Sequence, residues 1–116
     1  MSKQVRINEL LDYIRAGRII DAMHEFYAED VVMEEPAYGK TVGLEANLER
    51  EEKFVEGVAE FKKFEAIPAV GENFSSYENV MEWTSIDGQE MHIEQVAVQH
   101  WKDGKIVHER FYYNTA

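Results

Sequence analysis

The sequence predicts an α+β domain, with helices in the first half and a strongly curved antiparallel sheet in the second. Apolar residues recur at helical spacing as far as residue 61. Four extended segments follow, and the Asp87-Gly88 and Asp103-Gly104 turns divide the last three into hairpins. We therefore expect three helices to cover one face of a meander.

Two helices come first, and the second is short. Apolar residues recur at helical spacing in residues 5–16, and Gly17 follows where a C-terminal cap is expected. Residues 18–28 carry a second apolar face that runs from Ile20 to Tyr27. These patterns predict two helices in succession.

A short strand and a third helix follow. Residues 31–33 form a β-branched run that stops before Pro36, because proline bars a central strand. Residues 36–43 hold one proline and two glycines and predict a loop. Residues 44–61 predict the third helix, and the charged run 49–53 predicts its solvated face.

The extended segments are long enough to require curvature or a bulge. In the third of them the apolar phase changes between Ile93 and Val96, so either a bulge lies near Glu94 and Gln95 or both faces are covered. Helices can cover only one face, and the second alternative needs another subunit. The segments are residues 62–70, 74–86, 89–102 and 105–114.

Composition excludes several classes of function. The 116 residues carry a net charge of -11, which opposes binding to nucleic acid and to anionic membranes. The chain has no cysteine, which excludes disulfides, thiolate metal sites and a cysteine nucleophile. No apolar run is long enough to span a bilayer, and we expect a cytoplasmic protein without a membrane partner.

Two carboxylates interrupt apolar strand patterns. Glu35 continues the alternation of Val31 and Met33, so it points inward if they do, where burial would raise its pKa and suit it to general acid or base chemistry. The place of Glu109 depends on the Asp103-Gly104 turn. A two-residue turn throughout would turn His108 and Arg110 inward, whereas a bulge at Gly104 would turn Glu109 inward. The pattern leaves both registers open.

The histidines do not predict a metal site. His92 and His100 lie eight residues apart on one strand, too far to share an ion. We expect neither a metal nor a cofactor.

The order of elements, residues 26–36 (FYAEDVVMEEP) and Asp103-Gly104-Lys105-Ile106 resemble the nuclear transport factor 2-like superfamily, above all its SnoaL-like and ketosteroid isomerase-like branches. The resemblance implies one domain over residues 1–116: a cone-shaped α+β barrel of cystatin-like topology. It also implies a general base at Glu35, but the places of two oxyanion donors fall on Leu10 and Ala97, which cannot donate from their side chains.

The resemblance further implies which strand residues face an internal pocket. It favours Glu109 inside as a second catalytic candidate. The ligand-binding candidates are Glu82, Thr84, Gln95, Gln99, Phe111 and Tyr113, with Val80, Ile93 and Ala97 beside them. The opposite face would form a homodimer through Met81, Trp83, Val96, Val98 and Tyr112.

Two functions are compatible with these features. The first is a small-molecule-binding protein with an internal pocket, dimeric through its sheet. The alternative is an isomerase, cyclase or hydrolase-type enzyme in which Glu35 is the general base on a small carbonyl or polycyclic substrate.

Overall fold

The computed structural model describes residues 3–114. Three helices precede the long strands, and a two-stranded hairpin lies between the second and third helices. The elements are α1 (Lys3–Arg15), α2 (Ile19–Phe26), β1 (Tyr27–Glu35), β2 (Gly39–Val42), α3 (Leu44–Glu56), β3 (Val58–Val70), β4 (Phe74–Ser85), β5 (Glu90–Lys102) and β6 (Lys105–Tyr112).

The first two helices are confirmed and supply much of the core. Gly17 has a φ of 76°, the left-handed conformation that ends a helix, and its N–H donates to the carbonyl of Ile14. The two helices bury a continuous apolar set that packs on the sheet: Ile7, Leu10, Leu11, Ile14, Ala22, Met23 and Phe26.

The first strand is longer than predicted, and the predicted loop 36–43 contains a strand. β1 begins at Tyr27, which the sequence pattern assigned to α2, and pairs in antiparallel fashion with β2. The short strand β2 has no buried apolar residue to mark it in the sequence. β1 also pairs in parallel with β6, so this edge makes the sheet mixed.

The third helix ends earlier than predicted. It stops at Glu56, where the N–H of Gly57 donates back to the carbonyls of Lys53 and Phe54. Val58 then begins β3, although its spacing from Val55 continues a helical pattern.

The strands form one open sheet in the order β2-β1-β6-β5-β4-β3. The antiparallel meander β3 to β6 is confirmed, and the three helices lie against one curved face of the sheet, which gives the predicted cone-shaped α+β fold. Pro68 lies in β3, an edge strand that tolerates the missing N–H. Within residues 3–114 no helix has both the length and the apolar character needed to cross a bilayer.

The hairpin between β4 and β5 closes through a three-residue loop, residues 86–88. Ser85 donates its N–H to the carbonyl of Gln89, and Gly88 takes a φ of 86°. This loop pairs odd-numbered residues with odd-numbered ones, for example Met81 with Ile93. The pairing runs without a shift from Phe74 to Thr84, so the bulge considered near Glu94 and Gln95 is absent.

The hairpin between β5 and β6 combines a two-residue turn with a bulge. Asp103 and Gly104 have φ values of 53° and 79°, and Lys102 pairs with Lys105. The register then shifts by one residue at Val107, and Gln99 pairs with Glu109. The bulge lies beyond the turn and not at Gly104, so the strand pairing differs from both alternatives considered from the sequence, although Glu109 still faces inward.

Candidate functional site

A cavity of about 540 Å³ lies between the helices and the concave face of the sheet. Its walls come from all three helices and from β1, β3, β4, β5 and β6, and they are largely apolar. The aromatic residues that line it are Tyr27, Tyr38, Phe54, Phe64, Tyr77, Trp83, Phe111 and Tyr113. Its ionisable members are Glu35, Arg50, Glu51, Lys53 and Glu109, together with the tyrosines.

Glu109 is the most deeply placed of these groups, with 0% of its surface exposed. The hydroxyl of Tyr27 donates to its Oε1 atom, and Gln99 Nε2 donates to Oε2 over 2.7 Å. Burial raises the pKa of Glu109 to about 7, although both hydrogen bonds act in the opposite direction. This carboxyl can therefore gain or lose a proton near neutral pH.

The two tyrosines that face Glu109 keep their protons. Burial raises the pKa of Tyr27 well above its ordinary 10, and the neighbouring carboxyl of Glu109 adds to the effect. The pKa of Tyr77 on β4 is raised for the same two reasons. Both phenols are therefore neutral hydrogen-bonding groups at physiological pH.

Gln99 is held from behind by two further buried side chains. Ser75 Oγ donates to Gln99 Oε1 over 2.7 Å, and Trp101 Nε1 donates to Ser75 Oγ over 2.8 Å. Ser75 and Gln99 are fully buried, and Trp101 nearly so. A continuous hydrogen-bond chain therefore runs from the indole of Trp101 to the carboxyl of Glu109.

Glu35 also lines the cavity, but both of its oxygens have partners. Arg50 Nη1 lies 2.5 Å from Oε2, and the hydroxyl of Tyr113 donates to Oε1 over 2.9 Å. The side chains of Glu35 and Arg50 are only 13% and 18% exposed. Burial and the bond to Glu35 raise the pKa of Tyr113 to about 12. Glu35 is thus an ion-paired carboxylate.

One face of α3 carries the polar residues around this ion pair. Arg50 lies 3.5 Å from Glu51, and its Nη2 atom donates to Asn47 Oδ1 over 3.4 Å. Burial raises the pKa of Glu51, while Arg50 opposes the change. The run 49–53 is therefore not a purely solvated face, because three of its members, Arg50, Glu51 and Lys53, line the cavity.

The predicted site residues on β5 and β6 face the concave side. Gln95, Phe111 and Tyr113 line the cavity with Glu109, and Gln99 lies behind Glu109. Ala97, which lies between Gln95 and Gln99 on β5, is fully buried.

The expectation that Glu82 and Thr84 point into the pocket is wrong. Glu82 pairs with His92 on the opposite face, where its carboxylate lies 2.7 Å from His92 Nδ1. Thr84 Oγ1 donates to Glu90 over 2.9 Å. A two-residue Asp-Gly turn would have placed Glu82 beside the odd residues of β5, but the three-residue loop reverses this parity.

The same pairing shows that the prediction of Met81 and Trp83 on the outer face is wrong. Met81 and Trp83 line the cavity, together with Met91 and Ile93 opposite them on β5. Val80 lies on the outer face for the same reason. Three of the five residues predicted for the outer face do lie there. Val96 and Tyr112 are exposed, and Val98 is partly buried.

No metal cluster is found in the described part of the chain. Residues 3–114 hold no group of three or more His, Asp or Glu side chains that could bind one ion. His92 contacts Glu82 and Glu94, and His108 Nε2 lies 2.5 Å from Glu34.

Several cavity residues were not singled out from the sequence, among them Tyr27, Arg50 and Glu51. Tyr27 was counted as a packing residue of α2. Arg50 and Glu51 fall between Leu44 and Phe54, which are ten residues apart and share a helix face. Glu51 follows Leu44 by seven residues, about two helical turns, and this spacing predicts that both face the same way.

Comparisons with known proteins agree with this fold. The family model described as SnoaL-like domain matches residues 1–113. Comparison with curated proteins gives no match.

Solved structures share the fold. A protein provisionally named a SnoaL-like polyketide cyclase, from Mesorhizobium loti, superposes with a TM-score of 0.81 at 21% identity, over 97% of this chain and 100% of that one. An NTF2-like protein of unknown function from Burkholderia pseudomallei gives 0.84 at 16% identity, over 99% and 93%. TerC, co-crystallised with polyporic acid, gives 0.77 at 16%, over 95% and 89%. The chain belongs to the SnoaL-like domain family.

Proposed function

We propose that this chain binds a small, neutral, largely apolar molecule in its internal cavity. The cavity volume of about 540 Å³ lies within the range of small-molecule sites. Aromatic walls with a few convergent polar groups are typical of such sites. The co-crystal of TerC with polyporic acid supports an organic molecule as the kind of ligand.

The charges favour a neutral ligand over an anion. Arg50 is already paired with Glu35, and Lys53 is 74% exposed and lies 3.8 Å from Glu49. An anion would therefore meet carboxylates without a free counter-charge from these two cations. The net charge of -11 adds a repulsion at longer range.

The observation that carries a second candidate, proton-transfer catalysis, is the buried carboxyl of Glu109. Its pKa of about 7 and its two hydrogen bonds suit a group that takes a proton from carbon beside a ligand carbonyl and returns it to another atom. The ligand passes through its enolate while Glu109 carries the proton, and Glu109 is ionised again once the proton has been returned. Glu35 is the weaker candidate base, because its carboxylate is paired with the Arg50 cation, whereas both partners of Glu109 are neutral.

An NMR titration tests the binding function. The neutral ketone 1-indanone is expected to shift the amide signals of cavity residues, while indane-2-carboxylate, a bicyclic anion of similar size, binds about ten-fold more weakly or not at all. Met81→Trp places extra bulk in the cavity and should weaken binding. Val80→Trp places the same bulk on the outer face and should preserve it. Equal affinity for the ketone and the anion would contradict the proposal.

Exchange of protons separates the two functions. In D₂O, an enzyme would speed the replacement of the hydrogens beside the 1-indanone carbonyl by deuterium, which NMR follows directly. The rate should fall to background in Glu109→Gln and persist in Glu35→Gln. Binding without accelerated exchange leaves a binding protein as the function for this ligand class.

We also propose that the outer sheet face pairs with a second copy of the chain. Val96 and Tyr112 are 37% and 48% exposed and are direct neighbours across β5 and β6. Phe74 on β4 is a further exposed apolar residue of the same face, at 43% exposure. Light scattering should give the mass of a dimer, and Val96→Glu should lower it to that of one chain. A monomer at high concentration of the unmodified protein would refute the pairing.

A further inference from the structure

The hydrogen-bond chain behind Glu109 has a fixed direction. An indole N–H can only donate, so Ser75 Oγ must accept from Trp101. The hydroxyl of Ser75 then donates to Gln99 Oε1, and this holds the carboxamide with its NH₂ group towards Glu109 Oε2. Trp101 therefore sets the orientation of an amide that it does not touch.

This direction restricts where a proton can reside on Glu109. When the carboxyl is ionised, Tyr27 and Gln99 both donate to it. A proton on Oε2 would face the NH₂ group of Gln99, which cannot accept it. The proton must therefore reside on Oε1, opposite Tyr27, and Tyr27 then accepts this proton's hydrogen bond and turns its own O–H away.

We propose that Ser75 and Trp101 are positioning residues that couple the protonation of Glu109 to the hydroxyl of Tyr27, so that the cavity takes up a proton when it binds a carbonyl-type acceptor. The inference rests on the proposed binding function. Tyr27 lines the cavity and is the group that changes from acceptor to donor. When Glu109 is protonated, the freed O–H of Tyr27 can donate to a ligand carbonyl. A ligand N–H instead needs the Tyr27 oxygen as an acceptor, and this oxygen is available while Glu109 is ionised.

Other groups around Glu109 do not provide the same switch. Tyr77 faces it from β4 and remains neutral, and Arg50 faces it from α3 with Glu35 as its partner. Glu51, also on α3, is a second carboxyl whose pKa burial raises. A Glu51→Gln variant therefore serves as a control for titration near the cavity that does not pass through Tyr27.

Three bicyclic probes of similar size test the coupling. Indane has neither donor nor acceptor, 1-indanone has only an acceptor, and indole has only an N–H donor. Their dissociation constants are measured by NMR at about pH 5.5 and 8.5, on either side of the titration of Glu109. From the higher to the lower pH, affinity for 1-indanone should rise about five-fold, the factor that one net hydrogen bond supplies. Affinity for indane should be unchanged, and affinity for indole should fall.

Three variants test which residues the pH response of 1-indanone binding depends on. Glu109→Gln mimics the protonated carboxyl, because its carbonyl can accept from Gln99 while its NH₂ donates to Tyr27. It should bind 1-indanone with the low-pH affinity at both pH values. Ser75→Ala frees the amide of Gln99 to turn, and the response of 1-indanone should shrink towards that of indane. Ser76→Ala, on the outer face of the same strand, should behave as the unmodified protein.

The outcomes separate this inference from the binding function. If none of the probes binds, the proposed function fails and the inference falls with it. If the probes bind but 1-indanone and indane respond equally to pH, the coupling is refuted and the binding function survives. A full response in Ser75→Ala would refute the positioning role. Should that variant not fold, Trp101→Phe removes the same directing N–H and is expected to give the same reduced response.

Discussion

Replacing Glu109 with glutamine should remove a pH-dependent loss of stability from the protein. Burial raises the pKa of Glu109 from its ordinary 4.5 to about 7. Between these two values the folded protein still holds the proton, whereas the unfolded chain has released it. The stability due to this group is therefore fully present at acid pH, falls as the pH rises through this window, and is constant above it.

The size of the effect follows from the same two pKa values. Glu109 is fully buried, so solvent does not screen the difference. At about 1.4 kcal/mol for each pH unit, Glu109 accounts for about 3 kcal/mol between the ends of the window. Glutamine does not titrate and can keep the bonds to Tyr27 and Gln99, so the variant should fold and should lack this contribution.

Urea unfolding at about pH 5, 6, 7 and 8, followed by circular dichroism, measures the effect as a difference between the two proteins. All other titrating groups contribute alike to both, so from pH 5 to pH 8 the unmodified protein should lose about 2.5 kcal/mol more than Glu109→Gln, because pH 5 already lies inside the window. Glu78→Gln, an exposed change on the outer face, should follow the unmodified protein. Parallel curves for Glu109→Gln and the unmodified protein would refute the raised pKa.

Two further substitutions test the packing around the cavity. Arg50→Met leaves the mostly buried carboxylate of Glu35 without its cation and should cost about 3 kcal/mol in urea unfolding, whereas Lys53→Ala on the same helix should cost less than about 1 kcal/mol. Similar losses in both would show that burial does not strengthen the Glu35 pair. Gly71→Ala places a methyl group 1.9 Å from the ring of Phe74 and should lower stability by about 2 kcal/mol. Phe74→Ala should recover most of that loss in the double variant, and additive losses would contradict the clash.

The sequence predicts the order of elements well because hydrophobic periodicity is a local signal. It predicts strand register poorly, because register depends on how many residues each turn uses. The two Asp-Gly turns look alike in the sequence, yet residues 86–88 form a three-residue loop and Asp103-Gly104 a two-residue turn. This one-residue difference moves Glu82 to the outer face and leaves Met81 in the cavity.

The strand pattern alone did not decide whether Glu109 faces the cavity. The family resemblance favoured Glu109 inside, where it lies, but the bulge at Val107 that turns it inward leaves no mark in the sequence. Tyr27 was unpredictable for a different reason. Its spacing fits the apolar face of α2, and only the tertiary position of β1 beside β6 brings its hydroxyl to Glu109.

The two cavity carboxyls show why the position of a residue beside a proline does not by itself identify a base. Glu35 precedes Pro36 and has a cation and a phenol as partners, so its negative charge is compensated in place. Glu109 has two neutral donors as its hydrogen-bond partners, and burial outweighs both of them in raising its pKa to about 7. An ion pair between Glu35 and Arg50 is suited to holding α3 against β1, whereas a carboxyl that can gain or lose a proton near neutral pH is suited to responding to a bound ligand. We therefore assign the structural role to Glu35 and expect any proton chemistry in this cavity to depend on Glu109.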